Sequence, residues 1–355
     1  MRIESLVYHT KILLKRERSL SQILNYRSFL RSQHADTLHY KPLSLSIPPT
    51  DRCNLRCAMC QTHSSHIPHH SNRHRPTQDM TFDLFKSLAN KFKEAMQVQF
   101  IGTGEPLLNT DLFSMVDYAK KKRFETCVVT NGVLVDQYFY EILRAPIDTF
   151  IISINGHTGE EFHRMTGLSP KIWETIRNHA VEIANNPNRR FNFTLSFIID
   201  KTNVKDIQEM IDFGAKLGAD TVLLVNFLPS KVRGFTPEER TVFIEDFNPI
   251  EAKTSLRVPD GVTVTLPRSI DRKRPAKVCR EFFRLIRVDG EGNVGGCPRQ
   301  LLSLEQNGNF DDPDVWNNKY FRNMRRNFLH DNLELPESCR WCFSNSPHEQ
   351  IVLRG

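Results

Sequence analysis

The sequence predicts an α/β fold: a partial (β/α)6 TIM-like barrel followed by a small C-terminal domain that carries cysteines. Three observations lead there. Short apolar, β-branched runs alternate with amphipathic stretches six times between residues 44 and 250. Three cysteines crowd the loop after the first of those runs. The alternation then stops, and four of the other five cysteines lie beyond it.

The elements follow in order. Leu43–Pro48 reads as a first strand. Phe82–Met96 reads as a helix with Thr81 as N-cap. Val98–Gly102 is the second strand, Leu112–Lys121 a helix, and Glu125–Thr130 the third strand. A helix over Gln137–Leu143 leads to a fourth strand, Thr149–Ile154, and a helix over Ile172–Ala184 to a fifth, Asn192–Ile199. Asn203 caps a helix whose apolar face includes Ile207, Met210, Ile211 and Leu217, and Thr221–Phe227 is the sixth strand. Runs of this kind suit strands buried on both faces of a parallel sheet, and six β–α units in series imply right-handed crossovers. Beyond Pro229 prolines recur at 237, 249, 259, 267 and 275. The expected division is an N-terminal helical extension over 1–43, the barrel over 44–250 and a second domain over 255–355.

Composition sets the outer bounds. A chain of 355 residues with 39% apolar and 25% charged residues suits a barrel-sized globular protein. No apolar run reaches 18 residues and the first residues lack the order of a signal peptide, so a cytoplasmic location is expected. Ser5 to Phe29 has apolar residues at helical spacing among Lys11, Lys15, Arg16, Arg18 and Arg27. It reads as a helix packed on the barrel, with a membrane-surface helix as the alternative. Net charge is +7, much of it between Arg268 and Arg287, at Arg272, Lys273, Arg274, Lys277, Arg280 and Arg284. That run reads as a solvated surface, with contact to phosphates or an acidic partner as the alternative. Residues 61–75 hold His63, His66, His69, His70 and His74 without periodicity, a loop before it is a metal site.

Eight cysteines in a cytosolic protein argue for metal or redox chemistry rather than disulfides. Residues 50–60 read Thr-Asp-Arg-Cys-Asn-Leu-Arg-Cys-Ala-Met-Cys, placing Cys53, Cys57 and Cys60 in C-x3-C-x2-C spacing. Three thiolates in one loop can hold three irons of a cubane and leave the fourth open to a small molecule, whereas structural zinc takes four protein ligands. The loop follows the first strand, at the barrel's C-terminal mouth, where such enzymes place their chemistry.

These residues resemble the radical S-adenosylmethionine (SAM) superfamily, whose signature is C-x3-C-x-Φ-C with Φ usually aromatic. Met59 stands at Φ here. The resemblance runs over residues 44–230. Gly102-Thr103-Gly104-Glu105-Pro106 is similar to the family's Gly-Gly-Glu-Pro segment, which contacts the SAM amino group. Thr130-Asn131-Gly132 is also typical, and Ser153-Ile154-Asn155-Gly156 is similar to the family's Ser-x-Asp-Gly, with Asn155 in place of the acid. The resemblance implies that Met59, Gly102, Thr103, Gly104, Glu105, Asn131, Ser153 and Arg164 lie around SAM, Ser153 at its ribose or carboxylate and Arg164 at its carboxylate. It implies a SAM-binding [4Fe–4S] cluster and an electron donor such as flavodoxin or ferredoxin. It also implies reductive cleavage of SAM to a 5′-deoxyadenosyl radical that removes hydrogen from a substrate.

Cys279, Cys297, Cys339 and Cys342 form a second set. Phe282–Val288, Asp289-Gly290 and Asn293–Gly296 read as a β-hairpin that brings Cys279 and Cys297 toward one end. Four cysteines suit zinc or a second cluster. The tail resembles the SPASM/twitch extensions of the same superfamily through Gly292-x4-Cys297, Asn307-Gly-Asn-Phe, Val315-Trp-Asn and Cys339-x2-Cys342. Its cysteine framework is similar to that of the twitch-type dehydrogenase acting on 2-deoxy-scyllo-inosamine, which implies one auxiliary [4Fe–4S] cluster as electron acceptor. Cys127 stands alone, read as a buried apolar thiol with a hydrogen-donating thiol as the alternative. The expected function is a radical SAM oxidoreductase acting on a small metabolite, sugar or aminocyclitol-like, or on a peptide. A peptide-modifying maturase or epimerase is the alternative, and a zinc-stabilised nucleic-acid-binding protein the alternative of another class. No nucleic-acid partner and no membrane span are expected.

Overall fold

The computed structural model describes residues 18–32, 34–64, 66, 78–228, 237–272, 277–299, 307–346 and 348–355. Residues 1–17 of the N-terminal stretch, His69, His70 and His74, and Lys273 and Arg274 lie outside the described residues.

Six parallel strands run side by side in chain order: β1 (Ser44–Ile47), β2 (Gln97–Phe100), β3 (Glu125–Thr130), β4 (Thr149–Ser153), β5 (Asn192–Ile199) and β6 (Thr221–Asn226). The tail adds to both edges. β7 (Thr263–Thr265) pairs parallel to β6 and is followed in the sheet by antiparallel β10 (Val352–Arg354). β8 (Leu285–Val288) pairs parallel to β1 and turns into antiparallel β9 (Val294–Gly295). The result is a ten-stranded sheet that does not close, with strands from either side of residue 250 in one ladder.

The expectation that both strand faces are apolar holds only in part: the inner face is mixed, with Val129, Ile151, Ile198, Leu223 and Val225 among polar residues. Val98, Phe100, Val128, Phe150, Ile152, Val222 and Leu224 face the helices and join one core with Leu88, Met115, Ile142, Ile176 and Ile211. Burying each such side chain contributes about 1.5–3 kcal/mol. Successive strand residues point to opposite faces. The inner face therefore carries Ser46, Gln99, Cys127 and Thr149, aligned across neighbouring strands. Thr194, Thr221 and Thr263 form a second aligned row. The alternation Ser-Leu-Ser-Ile in β1 and Gln-Val-Gln-Phe in β2 records this in the sequence.

The helices agree with expectation in place and differ in length. Helix α1 (Leu20–Arg31) carries a capping box between Ser19 and Gln22. It packs on the barrel: Gln22 is fully buried and donates from Nε2 to the carbonyls of Ala95 (2.7 Å) and Lys122 (3.2 Å), while Arg18 pairs with Glu125 at 2.9 Å. Helix α2 (Phe82–Lys91) has Thr81 as N-cap, its Oγ1 accepting from Leu84 N at 3.3 Å, and stops short of the expected Met96. Helices α3 (Leu112–Lys121) and α4 (Phe139–Arg144) follow. Helix α5 (Gly159–Thr166) was not expected, although Thr158-x-x-Glu161 signals its start: Thr158 Oγ1 accepts from Glu161 N at 3.1 Å and Gly167 ends it at φ +72°. Helix α6 (Pro170–Ala184) precedes β5, and α7 (Ile207–Lys216) precedes β6. Asn203 does not cap α7. Its amide is fully buried and ties the loop after β5, donating to Ile198 O (3.0 Å) and accepting from Asp200 N (2.8 Å).

The β8–β9 hairpin pairs Arg287 with Gly295 and Val288 with Val294. Phe282–Arg284 belongs to a helical turn (Glu281–Arg284), not to the strand expected there.

Candidate functional site

The cysteine loop sits at the C-terminal ends of the strands. Its start is fixed by Arg52, which pairs with Asp79 and donates to Leu108 O at 2.9 Å, and its end by Ala58 N, which donates to Thr166 O at 2.7 Å. Cys60 Sγ accepts from the backbone N–H groups of Thr62 (3.4 Å) and His63 (3.3 Å). Burial, then the neighbouring Cys60 and Cys53, push the Cys57 thiol up to about 12. Burial also raises Cys53, with Glu105 and Cys60 adding to it. The three sulfurs are thus close enough to oppose one another's ionisation. That arrangement suits a group that supplies positive charge to all three and takes them as thiolates.

The loop after β2 lies flush against this one. Glu105 N donates to Arg52 O at 2.7 Å, and a Cβ on Gly104 would stand 2.2 Å from that same carbonyl oxygen. Gly102 likewise leaves no room beside Pro48. The glycines therefore serve the contact between two loops of the chain. Glu105 is 2% exposed, and its carboxylate accepts from Leu107 N (3.1 Å), Thr130 Oγ1 (2.6 Å) and Asn131 N (2.7 Å). Asn131 in turn donates from Nδ2 to Asn54 Oδ1 at 2.7 Å, beside Cys53. Glu105 and Asn131 thus link the ends of β2 and β3 to the cysteine loop. Glu105→Gln should cost about 1–3 kcal/mol of stability, because an amide NH2 would face a donor where a carboxylate oxygen now accepts. Urea unfolding of the two proteins measures this.

Ser153 ends β4 and is half-buried. Asn155 holds φ +52°, which asparagine tolerates, and its Oδ1 accepts from Ile198 N at 3.2 Å. Arg164 is exposed on α5. Met59 is buried with Met165 and Phe227, against Cys57 and Ile198, and forms an apolar wall at the mouth. Phe227 and the buried Asp200–Arg240 pair beside it were not singled out in the sequence. They stand just past the ends of β6 and β5, as strand-end positions do in barrel sites.

The second set converges on the β8–β9 hairpin. Burial raises Cys279 and Cys297; Cys297 and Cys342 add to the rise of Cys279, and Cys342 to that of Cys297. Asn345 binds the set together, accepting from Cys279 N (3.1 Å) and donating to Cys339 O (2.7 Å). Arg299 N donates to Cys297 Sγ at 3.4 Å, and its guanidinium reaches Ser344 Oγ at 3.0 Å. Asn345 and Arg299 carry no spacing signal that the sequence reveals. Among the described residues, no three His, Cys, Asp or Glu side chains form a single-ion site, and no helix is long and apolar enough to cross a membrane.

The model of the radical SAM superfamily matches residues 47–214. The chain is 26% identical over 271 residues to the tungsten-containing aldehyde ferredoxin oxidoreductase cofactor-modifying protein of Pyrococcus furiosus, covering 72% of this chain and 71% of that one. It is 25% identical over 323 residues to the PqqA peptide cyclase of Gluconobacter oxydans, covering 86% of this chain and 84% of that one. Streptococcus suis SuiB, solved with its precursor peptide SuiA, shares the fold with a TM-score of 0.61 at 15% identity, over 85% of this chain and 71% of that one.

Proposed function

The chain belongs to the radical SAM superfamily of enzymes, and on that premise we propose that it oxidises a small polar metabolite, sugar or aminocyclitol-like, inside the barrel. Cys53, Cys57 and Cys60 hold the family's [4Fe–4S] cluster, whose chemistry with SAM supplies the 5′-deoxyadenosyl radical. Glu105 and Asn131 fix the loops around that site, and Met59, Met165 and Phe227 exclude water beside Cys57. Gly102, Thr103, Gly104, Ser153 and Arg164 are the proposed SAM contacts. Cys279, Cys297, Cys339 and Cys342, in the proposed domain over 255–355, hold an auxiliary cluster. The four thiols leave it no open position, which suits electron transfer rather than substrate binding.

One observation carries the substrate class. The inner face presents hydroxyl and amide groups from Ser46, Gln99, Thr149, Thr194, Thr221 and Thr263 among the apolar Val129, Ile151, Ile198, Leu223 and Val225, a more polar lining than the apolar layers that fill a closed barrel. A ligand with several hydroxyl groups satisfies such a lining. Anaerobic preparations should contain about two [4Fe–4S] clusters, seven thiolate ligands in all. Deuterated polyols and cyclitols should pass deuterium into 5′-deoxyadenosine. Stoichiometric zinc with traces of iron and sulfide would sink the reading and favour a zinc-stabilised protein.

The second reading is a peptide-modifying maturase. It draws on the PqqA peptide cyclase, matched over most of its length, and on the peptide-bound SuiB. Deuterium transfer from a labelled peptide, with none from polyols, would favour it. Cys127 bears on a redox-neutral outcome, since it stands on the inner face between Gln99 and Thr149 rather than in the helix-side core. A product of unchanged mass, lost in Cys127→Ser, would mark epimerisation.

A further inference from the structure

Arg287 stands on the inner face of β8, opposite Ser46 of β1, which is aligned in turn with Gln99 of β2. It is 1% exposed. Its one hydrogen bond among the described residues runs from Nη1 to Pro298 O at 3.4 Å, and its Nε meets no acceptor. The carboxylate that acts on it, Asp289, is committed to the β8–β9 turn, where it accepts from Glu291 N (3.0 Å) and Asn293 N (2.9 Å). Burial pulls Arg287 down to about 10, against the smaller opposing pull of Asp289 and Cys297. Ser46 Oγ beside it is also buried without a partner. A guanidinium keeps its charge, and burying one unpaired is costly unless something binds it.

Its place says what that something is. Nη2 lies 3.1 Å from where a Cβ on Gly102 would stand, and Nη1 reaches Pro298, the neighbour of Cys297. The guanidinium thus spans the rim loop of the first site and the loop of the second cysteine set. A substrate that loses a hydrogen atom to one site and an electron to the other lies between them. We propose that Arg287, with Ser46 and Gln99, forms a subsite for an anionic group, a carboxylate or phosphate, carried by that substrate. A bidentate guanidinium suits both anions, and a hydroxyl and an amide add donors on the same face.

The inference rests on the radical SAM oxidase reading, and the two fail differently. Protein without iron and SAM cleavage defeats the reading. Protein with both, but without anion binding at Arg287, defeats the inference. The test titrates anaerobic full-length holoenzyme with inorganic phosphate or with acetate, at constant ionic strength, and follows the thermal midpoint. Wild type should show a saturable rise with at least one anion; the better anion identifies the group. Arg287→Met, close in volume and uncharged, should unfold at a higher temperature than wild type without anion and should lose about thirtyfold or more in affinity. Ser46→Ala keeps the charge and should weaken the response several-fold. Should Arg287→Met fail to fold, Arg287→Lys takes its place and should also weaken the response, because a point charge replaces a fork. No saturable response in wild type, or an unchanged response in the folded Arg287 variant, overturns the proposal. So does an Arg287 variant that binds anion normally but loses iron from the second set, which would assign the arginine to that cluster.

Discussion

Cys57→Ala should fold, lose the iron of the first site and produce no 5′-deoxyadenosine above the level of a protein-free control. The cause is arithmetic as much as geometry. On the proposed reading the open iron of the cubane leaves three anchors, and Cys57 is packed against Met59, Met165 and Phe227. The thiols oppose one another's ionisation, and that opposition ends only when metal binds them. Loading of the wild-type loop should therefore release protons and strengthen as pH rises. The substitution removes a side chain rather than a backbone tie. Ala58 N still bonds Thr166 O, and Cys60 N still bonds the carbonyl of residue 57. The fold should survive, and far-UV circular dichroism should match wild type. The decisive measurement is 5′-deoxyadenosine formed from SAM with dithionite. Retention of the wild-type rate would move the site away from this loop.

Much of this architecture was legible because it is local. The strands of the barrel announce themselves as β-branched runs, and Glu125–Thr130 and Asn192–Ile199 coincide with expectation at both ends. The C-x3-C-x2-C loop is contiguous, so its spacing alone states its chemistry. The parts that escaped depend on distant pairing. Thr263–Thr265 and Val352–Arg354 are three residues each and become strands only by joining an existing edge. Glu105 belongs to the segment that the resemblance places at the SAM amino group, and its carboxylate is enclosed by donors from residues 107, 130 and 131. No spacing rule gives that. Asn345 shows the same limit: it joins Cys279 to Cys339 across sixty positions of chain. The polar inner face lay between these extremes. Its alternation is written in β1 and β2, but its meaning depends on the sheet staying open, which the tail strands decide.

Cys297→Ala tests the second cysteine set by separating two outputs that wild type couples. A two-electron oxidation removes one hydrogen atom, one further electron and one proton from the substrate. The hydrogen atom goes to the 5′-deoxyadenosyl group formed at the first site. The electron needs an acceptor, and on the proposed reading Cys279, Cys297, Cys339 and Cys342 hold it. Cys297 lies two residues past the end of β9, and its Sγ takes the N–H of Arg299. Its loss leaves Cys53, Cys57 and Cys60 untouched, so SAM cleavage should continue. Oxidised product should fall about tenfold or more relative to 5′-deoxyadenosine, a change of about 1.4 kcal/mol in the competition between oxidation and quenching of the substrate radical. The second set also joins the tail to the barrel edge, so the variant is informative only if folded. Its far-UV spectrum should match wild type and its iron content should fall by the four atoms of one cubane. The readout is the product to 5′-deoxyadenosine ratio under single-turnover conditions, with the substrate that donates deuterium in wild type. A folded variant with the wild-type ratio removes the acceptor role from these cysteines. A ratio that falls while unoxidised, solvent-labelled substrate accumulates fixes the electron's path through them, because a substrate radical that cannot pass on its electron is instead quenched by a hydrogen atom from outside.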